Sequence, residues 1–415
     1  FESELNISLN SIIEKNIDYV PAIPISVNHK KLNEWFAFLF VFTYLIFQPF
    51  VKYNENVYGG FRFNITLINV LILLLIIANS LFLIRSFSYR RIPLVVIIFI
   101  QIILIQLFSY YWIRDYSFHS TLIYVKTLSK SLIASSLWLI AGAYLYDIIN
   151  GANYRRVLRV AWTLLTFFFI YNSVLNALRF SIDLGDNLIY LMLADNYAIL
   201  GIFAVHATRS KVMRHFVFIL SIVTLFALLS RTSLYFFVAI YIMYLYRENK
   251  KLLLTMLTLS FILALNASSD VKEGRMLKMV FGGPDKSASM RYGMLIDGLN
   301  SIKENWFTGQ FMGDINEYAG TEGYYIHNYL AIWRQYGLIP FVVIILTIIV
   351  NQFKLGTDWL KNAPLKEAEM LLFYFSMFVI FEIVFARTFD HPYIWMSFVP
   401  AMQYFRNRVN PEPER

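Results

Sequence analysis

The residues best suited to chemistry in this sequence are one histidine and several arginines set among long apolar segments. His327 and Asn328 come just before an almost purely aliphatic run, within "YYIHNYLAIWRQYGLIPF" at 324–341. A histidine exchanges protons near neutral pH, as a general base must. A histidine at the start of a helix can equally be a capping or hydrogen-bonding residue. His327 is therefore the candidate base, with a structural role as the alternative.

Arg231 is the most telling of the arginines, because it separates two apolar arms in "LLSRTSLYFF". Each arm has about fifteen residues, or ~22 Å of helix, whereas the hydrocarbon core of a bilayer is ~30 Å thick. The tip of this hairpin is thus predicted to end below the membrane surface. A charge recessed in this way is costly and indicates function. The alternatives are that Arg231 reaches the interface or pairs with Glu382.

Other polar residues could contribute to the same site. Arg291 lies in "SASMRYGMLIDGLNSIKENWFTG", which is predicted to be a helix ending near Gly309, although Arg291 could also be a solvated loop charge. Arg179 lies in "RFSIDLGDN" and Arg387 in "ARTFDHPY", where His391 is expected to be part of a turn.

Lys126 and Lys130 are four residues apart and share one helix face. They either reach the interface or line the path of an anion. His119 and His206 have no partner at metal-ligand spacing, so no metal or cofactor is expected.

The composition indicates a polytopic membrane protein. The 415 residues are 58% hydrophobic and 15% charged, and the mean hydropathy is +0.55. Soluble domains are closer to a quarter charged. The absence of cysteine excludes disulfides, thiolate zinc sites and a thiol nucleophile. The net charge of +9 is spread over short loops, which favours membrane topology over nucleic-acid binding.

The expected fold is all-α, a single integral-membrane domain over 1–415 with about twelve transmembrane helices. The longest polar stretch, 267–326, is predicted to be one large periplasmic loop, containing helices, between the ninth and tenth spans. The predicted spans are 34–51, 65–84, 92–113, 124–146, 160–176, 188–206, 216–230, 232–246, 252–266, 328–352, 368–386 and 393–406.

The orientation follows from the basic residues of the short loops. Three Lys or Arg occur in each of the segments 1–33, 85–91, 148–159, 207–215, 247–251, 353–367 and 406–415, and two or one in the short segments between them. Basic residues favour the cytoplasmic side. This alternation predicts that both termini are cytoplasmic, and it places Arg179, Arg231, Arg291, His327 and Arg387 on the outer face.

Arginines and a histidine on one face suggest a site for a polyanionic lipid headgroup. The planar guanidinium matches phosphate oxygens, and a pyrophosphate would lie at the predicted depth. A nearby histidine could then deprotonate an incoming hydroxyl. The sequence therefore predicts transfer of a group from a lipid-linked pyrophosphate at the outer face of the membrane.

The chain resembles the O-antigen ligase/polymerase superfamily of bacterial membrane glycosyltransferases. The resemblance rests on "IHNYLAIWRQYGL", "SRTSL", "MRYGMLIDGLNSIKENWFTGQFMG" and "RFSIDLGDNLIYLMLADNYAIL", and it covers roughly residues 170–350. It implies a metal-independent GT-C-type enzyme of the bacterial inner membrane, with its active site facing the periplasm. The implied donor is a glycan on undecaprenyl pyrophosphate.

The resemblance also implies a role for each matching residue. Arg231 and Arg291 would hold the pyrophosphate, with Arg179 as a further donor contact, while His327 would be the base and Asn328 would position the acceptor. Supporting contacts would come from Lys126, Lys130, Asn196 and Arg387. Asp195-Asn196 stands where many members have Asn-Pro-Asn or a related turn, so donor contacts there are open.

Three activities fit this sequence. An O-antigen ligase would transfer the glycan to lipid A–core in lipopolysaccharide biosynthesis, and the single large outer loop favours this activity. A polymerase would join lipid-linked repeats instead. A flippase for lipid-linked oligosaccharides is the alternative outside enzymes, although transporters usually carry internal repeats and polar sites near the midplane.

Overall fold

The computed structural model describes residues 27–51, 53, 70, 71, 74, 118–175, 189–266, 286–313, 326–361, 363, 365–387, 391 and 393–397. This part of the chain is helical and contains no β-strand, which confirms the all-α prediction for it. Its helices are α1 (Val27–Phe42, followed by a π-helical turn at Thr43–Phe47), α2 (Phe118–Asn150), α3 (Ala152–Leu175), α4 (Ile189–Ala207), α5 (Lys211–Ala227), α6 (Arg231–Glu248), α7 (Lys250–Asn266), α8 (Lys286–Glu304), α9 (Leu330–Tyr336), α10 (Leu338–Leu360) and α11 (Glu367–Phe385).

Most predicted spans correspond to one of these helices. The hairpin predicted around Arg231 is present, and its arms of 17 and 18 residues, which meet at residues 228–230, are longer than the predicted fifteen. The predicted span 328–352 is broken at Gly337 into α9 and α10. The predicted loop 267–326 contains α8. The predicted span 92–113 lies wholly outside the described residues. Of the span 65–84 only residues 70, 71 and 74 are described, and of the span 393–406 only residues 393–397.

The outward surface of the bundle is apolar where lipid would cover it. Three of the described helices are long and apolar enough to cross a membrane: Glu34–Val51, Ala152–Val174 and Glu367–Phe385. Exposed apolar stripes at helical spacing run along three helices: Val160, Leu164, Phe167, Tyr171 and Val174 on α3; Val212, Phe216, Ile219, Val223 and Phe226 on α5; and Ile339, Val342, Leu346, Ile349 and Phe353 on α10. Exposed apolar surface on this scale indicates a membrane protein.

Helix α4 lies at the centre of the bundle. Every residue from Leu193 to Val205 is buried, and α3, α5, α6 and α11 pack around it. A helix that is apolar all round belongs in the interior. Polar residues on α4 are therefore held in the core, and Asp195 is one of them.

Three basic loops that were predicted to lie on the cytoplasmic side are found at one end of the bundle. Arg214 pairs with Glu367 at 2.6 Å, which joins the start of α5 to the start of α11. Lys211 pairs with Glu248 at 3.0 Å. Arg247 donates to the backbone oxygen of Ala363 at 2.7 Å. The segments 207–215, 247–251 and 353–367 thus share one end, as their common predicted side requires.

Two glycines lock the turn after α8 against the junction of α9 and α10. Gly309 (φ 66°) and Gly337 (φ 82°) have left-handed backbone conformations. A Cβ on Gly309 would lie 2.3 Å from the Gly337 nitrogen, and one on Gly337 would lie 2.1 Å from the Phe307 oxygen. The backbone bonds Gln310 N–H to Arg334 O, at 2.7 Å, and Leu338 N–H to Phe307 O, at 3.1 Å, close the contact.

A third glycine brings α8 against the residue that precedes His327. A Cβ on Gly298 would lie 2.2 Å from the Ile326 side chain, which is itself buried. The helix that carries Arg291 is thereby fixed beside the segment that carries His327. These close contacts require glycine because any side chain would separate the two segments.

We expect Gly309→Ala and Gly337→Ala each to destabilise the protein by more than about 1–2 kcal/mol, since the left-handed backbone alone costs that much for an L-residue. Thermal unfolding of the purified chain in detergent measures this. Gly293→Ala on α8 is the matched control, because a Cβ there meets nothing within 4 Å. It should be neutral or stabilise by up to about 1 kcal/mol. Equal stability of all three variants would contradict the close contact between Gly309 and Gly337.

Candidate active site

A buried ion pair joins α4 to the end of α11 and to the hairpin tip. Arg387 Nε donates to Asp195 Oδ2 at 2.8 Å, and a second guanidinium N–H donates to Oδ1. Arg387 Nε also lies 2.9 Å from Glu382 Oε2, although its N–H points at Asp195. Ser233 donates to Asp195 Oδ1 at 2.5 Å, and its oxygen lies 2.9 Å from that of Ser230. All five residues are buried.

This network fixes the start of α6, where Arg231 is the first helical residue. Arg231 stands between Ser230 and Ser233, both of which belong to the network. It is partly buried. Glu382, the carboxylate considered as a partner for Arg231, pairs with Arg387.

Arg291 lies on the inward face of α8 and not on a solvated loop. It is partly buried, and its charge acts on both Glu382 and His327. Glu382 thus interacts with two guanidinium groups, that of Arg387 directly and that of Arg291 through its charge. Buried charges need this kind of compensation. The sequence predicted the helix around Arg291 but not its acidic neighbour on α11.

His327 lies at the meeting point of these elements. Its ring donates a hydrogen bond to the backbone oxygen of Ala386, next to Arg387. Burial, and then the charges of Arg291 and Arg387, lower the pKa of His327 to about 4. The imidazole is neutral at pH 7. A neutral imidazole that donates through one nitrogen carries a lone pair on the other, as a proton acceptor must.

Asn328 holds the turn that presents His327. Its Oδ1 accepts the N–H of Leu330 at 2.9 Å, which begins α9. Asn and Asp side chains favour this kind of local turn. The local turn before α9 is therefore made by Asn328, whereas the His327 ring bonds to Ala386. The amide NH2 of Asn328 remains the part of this side chain that can donate to a ligand.

The remaining predicted residues fall into two groups. Asn196 is buried: it donates to the Tyr44 backbone oxygen at 2.8 Å and accepts from the Tyr393 hydroxyl, so it holds α4 against its neighbours. Arg179 lies outside the described residues. Lys126 and Lys130 lie on α2, and their side chains are outside the described part of the chain.

The burial of two polar residues was not predicted. His391 is buried and packs edge-on against Tyr393, with ring centres 5.3 Å apart. Burial first, and then the charge of Arg387, lower its pKa to about 4, while Asp195 opposes this shift. Arg334 is only 3% exposed on α9. The aromatic and glycine neighbours of Arg334 in "IWRQYG" are the only sequence signal for its burial.

The opposite end of the bundle has a small cavity, distant along the same helices. His206, Arg214, Tyr244 and Glu367 line it, and its volume is about 30 Å³. That volume holds about two water molecules and no larger ligand. The candidate site described above lies at the other end of the bundle, where α6 begins.

Comparisons of this chain with protein-family models, with curated proteins and with solved structures find no match. The candidate site rests on the residues and geometry described above.

We expect Arg387→Met to cost about 3–5 kcal/mol of stability, because it leaves the carboxylates of Asp195 and Glu382 buried together. The double variant Arg387→Met with Asp195→Leu should regain most of the loss, since it removes the pair together. Unfolding in mixed detergent micelles measures both. A double variant no more stable than the single one would contradict the buried pair.

We expect the His327 ring to stay neutral from pH 7.5 to pH 5, because its pKa is about 4. An ordinary histidine is half protonated near pH 6.5. Ring nitrogen shifts of ¹⁵N-histidine-labelled protein measure this, and the His327→Gln variant identifies the signal among the six histidines.

Removal of a nearby positive charge should then raise the pKa of His327. Arg291→Gln should therefore move its titration toward neutral pH, while Arg156→Gln, an exposed position on α3, should leave it unchanged. Titration of the wild-type ring near pH 6.5 would contradict the buried environment.

Proposed function

We propose that this chain is a membrane glycosyltransferase that moves a glycan from undecaprenyl pyrophosphate to a hydroxyl acceptor. The acceptor would be lipid A–core, which makes the reaction O-antigen ligation in lipopolysaccharide biosynthesis. The observation that carries the proposal is the meeting of His327 with the charges of Arg291 and Arg387 at the bundle end where Arg231 begins α6.

The reaction assigns one role to each group. His327 accepts the proton of the acceptor hydroxyl as its oxygen bonds to the anomeric carbon. The bond from that carbon to the phosphate oxygen breaks, and undecaprenyl pyrophosphate leaves with the electron pair. Arg231 and Arg291 stabilise the charge that develops on the leaving pyrophosphate. Arg387 remains hydrogen-bonded to Asp195, so it acts on the leaving pyrophosphate through its positive charge and not through a direct contact.

A bound pyrophosphate would also raise the pKa of His327. The low pKa of the free ring comes from burial and from two positive charges. A bound polyanion near Arg291 would offset those charges and raise the pKa toward neutrality. The base would thus become strong enough to act when the donor is present.

The proposed orientation places the active site at the periplasmic face of the bacterial inner membrane, with both termini cytoplasmic. The grouping of three basic segments at the other end supports it.

We expect His327→Ala to lower turnover by roughly 10²-fold or more while donor binding is retained, as is typical for loss of a general base. Arg291→Gln should weaken donor binding as well as turnover. Arg156→Gln is the matched control at the opposite end. The assay uses purified protein in vesicles with a lipid-linked glycan and lipid A–core. Full activity of His327→Ala would contradict the assigned base.

The same assay distinguishes the acceptors. Ligated lipid A–core is the expected product. Growth of lipid-linked repeats without ligation would identify a polymerase. Movement of the lipid-linked glycan across the vesicle, with no new glycosidic bond and no effect of His327→Ala, would identify a flippase.

A further inference from the structure

The exposed arc of α8 is divided into an apolar flank and a polar flank. Successive residues of an α-helix advance by about 100°. On this basis Tyr292, Ile296 and Lys303 lie within about 40° of one another. Tyr292 is 67% exposed and Ile296 42%. The exposed residues Gly293, Asp297, Asn300 and Glu304 form the adjacent polar flank, and Met290, in the first turn, lies at its far edge.

Two aromatic residues extend the apolar flank beyond the end of α8. Trp306 is 53% exposed and Phe307 49%, and their ring centres are 5.5 Å apart. Trp333 donates its indole N–H to the Trp306 backbone oxygen at 2.6 Å. Trp333 in turn stacks on Phe341 at 5.1 Å. The turn is therefore joined to the first turn of α10.

The apolar surface continues from this aromatic group along α10. The stripe that begins with Ile339 and Val342 is exposed over its whole length and is of the kind that lipid chains cover. Aromatic side chains next to an apolar stripe are the pattern found where a membrane protein crosses the headgroup level. The surface formed by Tyr292, Ile296, Lys303, Trp306 and Phe307 is called the interfacial surface below.

We propose that the interfacial surface binds the headgroup–acyl boundary of the bilayer, so that α8 lies in the membrane plane on the side of the active site. The charges agree with this partner: Lys303 lies on the apolar flank, where it can reach lipid phosphates, whereas Asp297 and Glu304 lie on the other flank. A second protein copy fits less well, because the cores of protein interfaces are depleted in lysine.

The proposed position of α8 in the membrane plane fixes the depth of Arg291 in the bilayer. Arg291 lies on the inward side of α8, and the interfacial surface lies on a different side of the same helix. A helix bound at the boundary penetrates about 5–10 Å below the headgroups. The guanidinium is then held close to the level of lipid phosphates. The membrane itself becomes part of the support for the site, whatever reaction takes place there.

The experiment uses the absence of cysteine from this chain. Single cysteines replace Tyr292 and Ile296 on the apolar flank, and Asp297 and Asn300 on the polar flank of the same helix. Each variant carries a spin label and is reconstituted in vesicles of phosphatidylethanolamine and phosphatidylglycerol. Collision with oxygen and with a water-soluble nickel chelate then measures the depth of each label. Val342→Cys, on the stripe of α10, gives the reference for a lipid-facing site.

The labels at 292 and 296 are expected about 5–10 Å below the phosphate level. Those at 297 and 300 are expected at or above it. Equal access of the nickel chelate to all four labels would overturn the proposal. Protection of 292 and 296 from both reagents, with spin–spin broadening between copies, would assign the surface to a second chain and would also overturn it. Neither result depends on glycosyltransferase activity.

Discussion

The ion pair between Asp195 and Arg387 is the interaction on which the candidate site depends. In an apolar bundle a buried carboxylate is costly unless charges and hydrogen bonds compensate it. Asp195 meets this need with Arg387 and Ser233, which come from the end of α11 and the start of α6. Three elements far apart in sequence are thereby held at one point. Such a pair contributes little net stability but strongly disfavours other arrangements.

Two arginines act on the buried acids of this site. Arg387 is shared between Asp195 and Glu382. Arg291, on α8, also acts electrostatically on Glu382. The same two guanidinium groups act on His327, whose ring is held by the Ala386 carbonyl. A network built to compensate buried acids thus also sets the electrostatic environment of the candidate base.

The close contacts at the glycines fix the orientation of α8, which charge attraction alone does not. Charge attraction acts over many ångströms and does not fix an orientation. Gly309 and Gly337 bring two backbone segments into contact, and Gly298 leaves room for the Ile326 side chain against α8. Together these contacts fix how α8 is rotated. As a result Arg291 faces inward and Tyr292 outward on one short helix. The lipid-facing and site-facing functions of α8 follow from this single rotation.

The sequence by itself determined the helical class, the approximate positions of most of the described helices, and the short list of polar residues that could form a site. These follow from local properties: apolar runs of membrane length, and charges whose burial needs a reason. It also indicated that Arg231, Arg291 and His327 belong together, on a resemblance and on sidedness. It could not give the partners within the site. The acceptor of the Arg387 hydrogen bonds, Asp195, lies 192 residues away, and nothing in either local segment encodes that distance.

Only the tertiary structure decided which polar residues bind one another. It assigned Asn196 and Arg387 to the scaffold, gave Asn328 the local turn before α9, and placed His391 and Arg334 in the interior. The predicted tenth span is two helices in the structure, α9 and α10, which meet at Gly337. The physical reason is that burial and pairing depend on which surfaces meet, and this is settled by packing between helices and not by the residues along one of them.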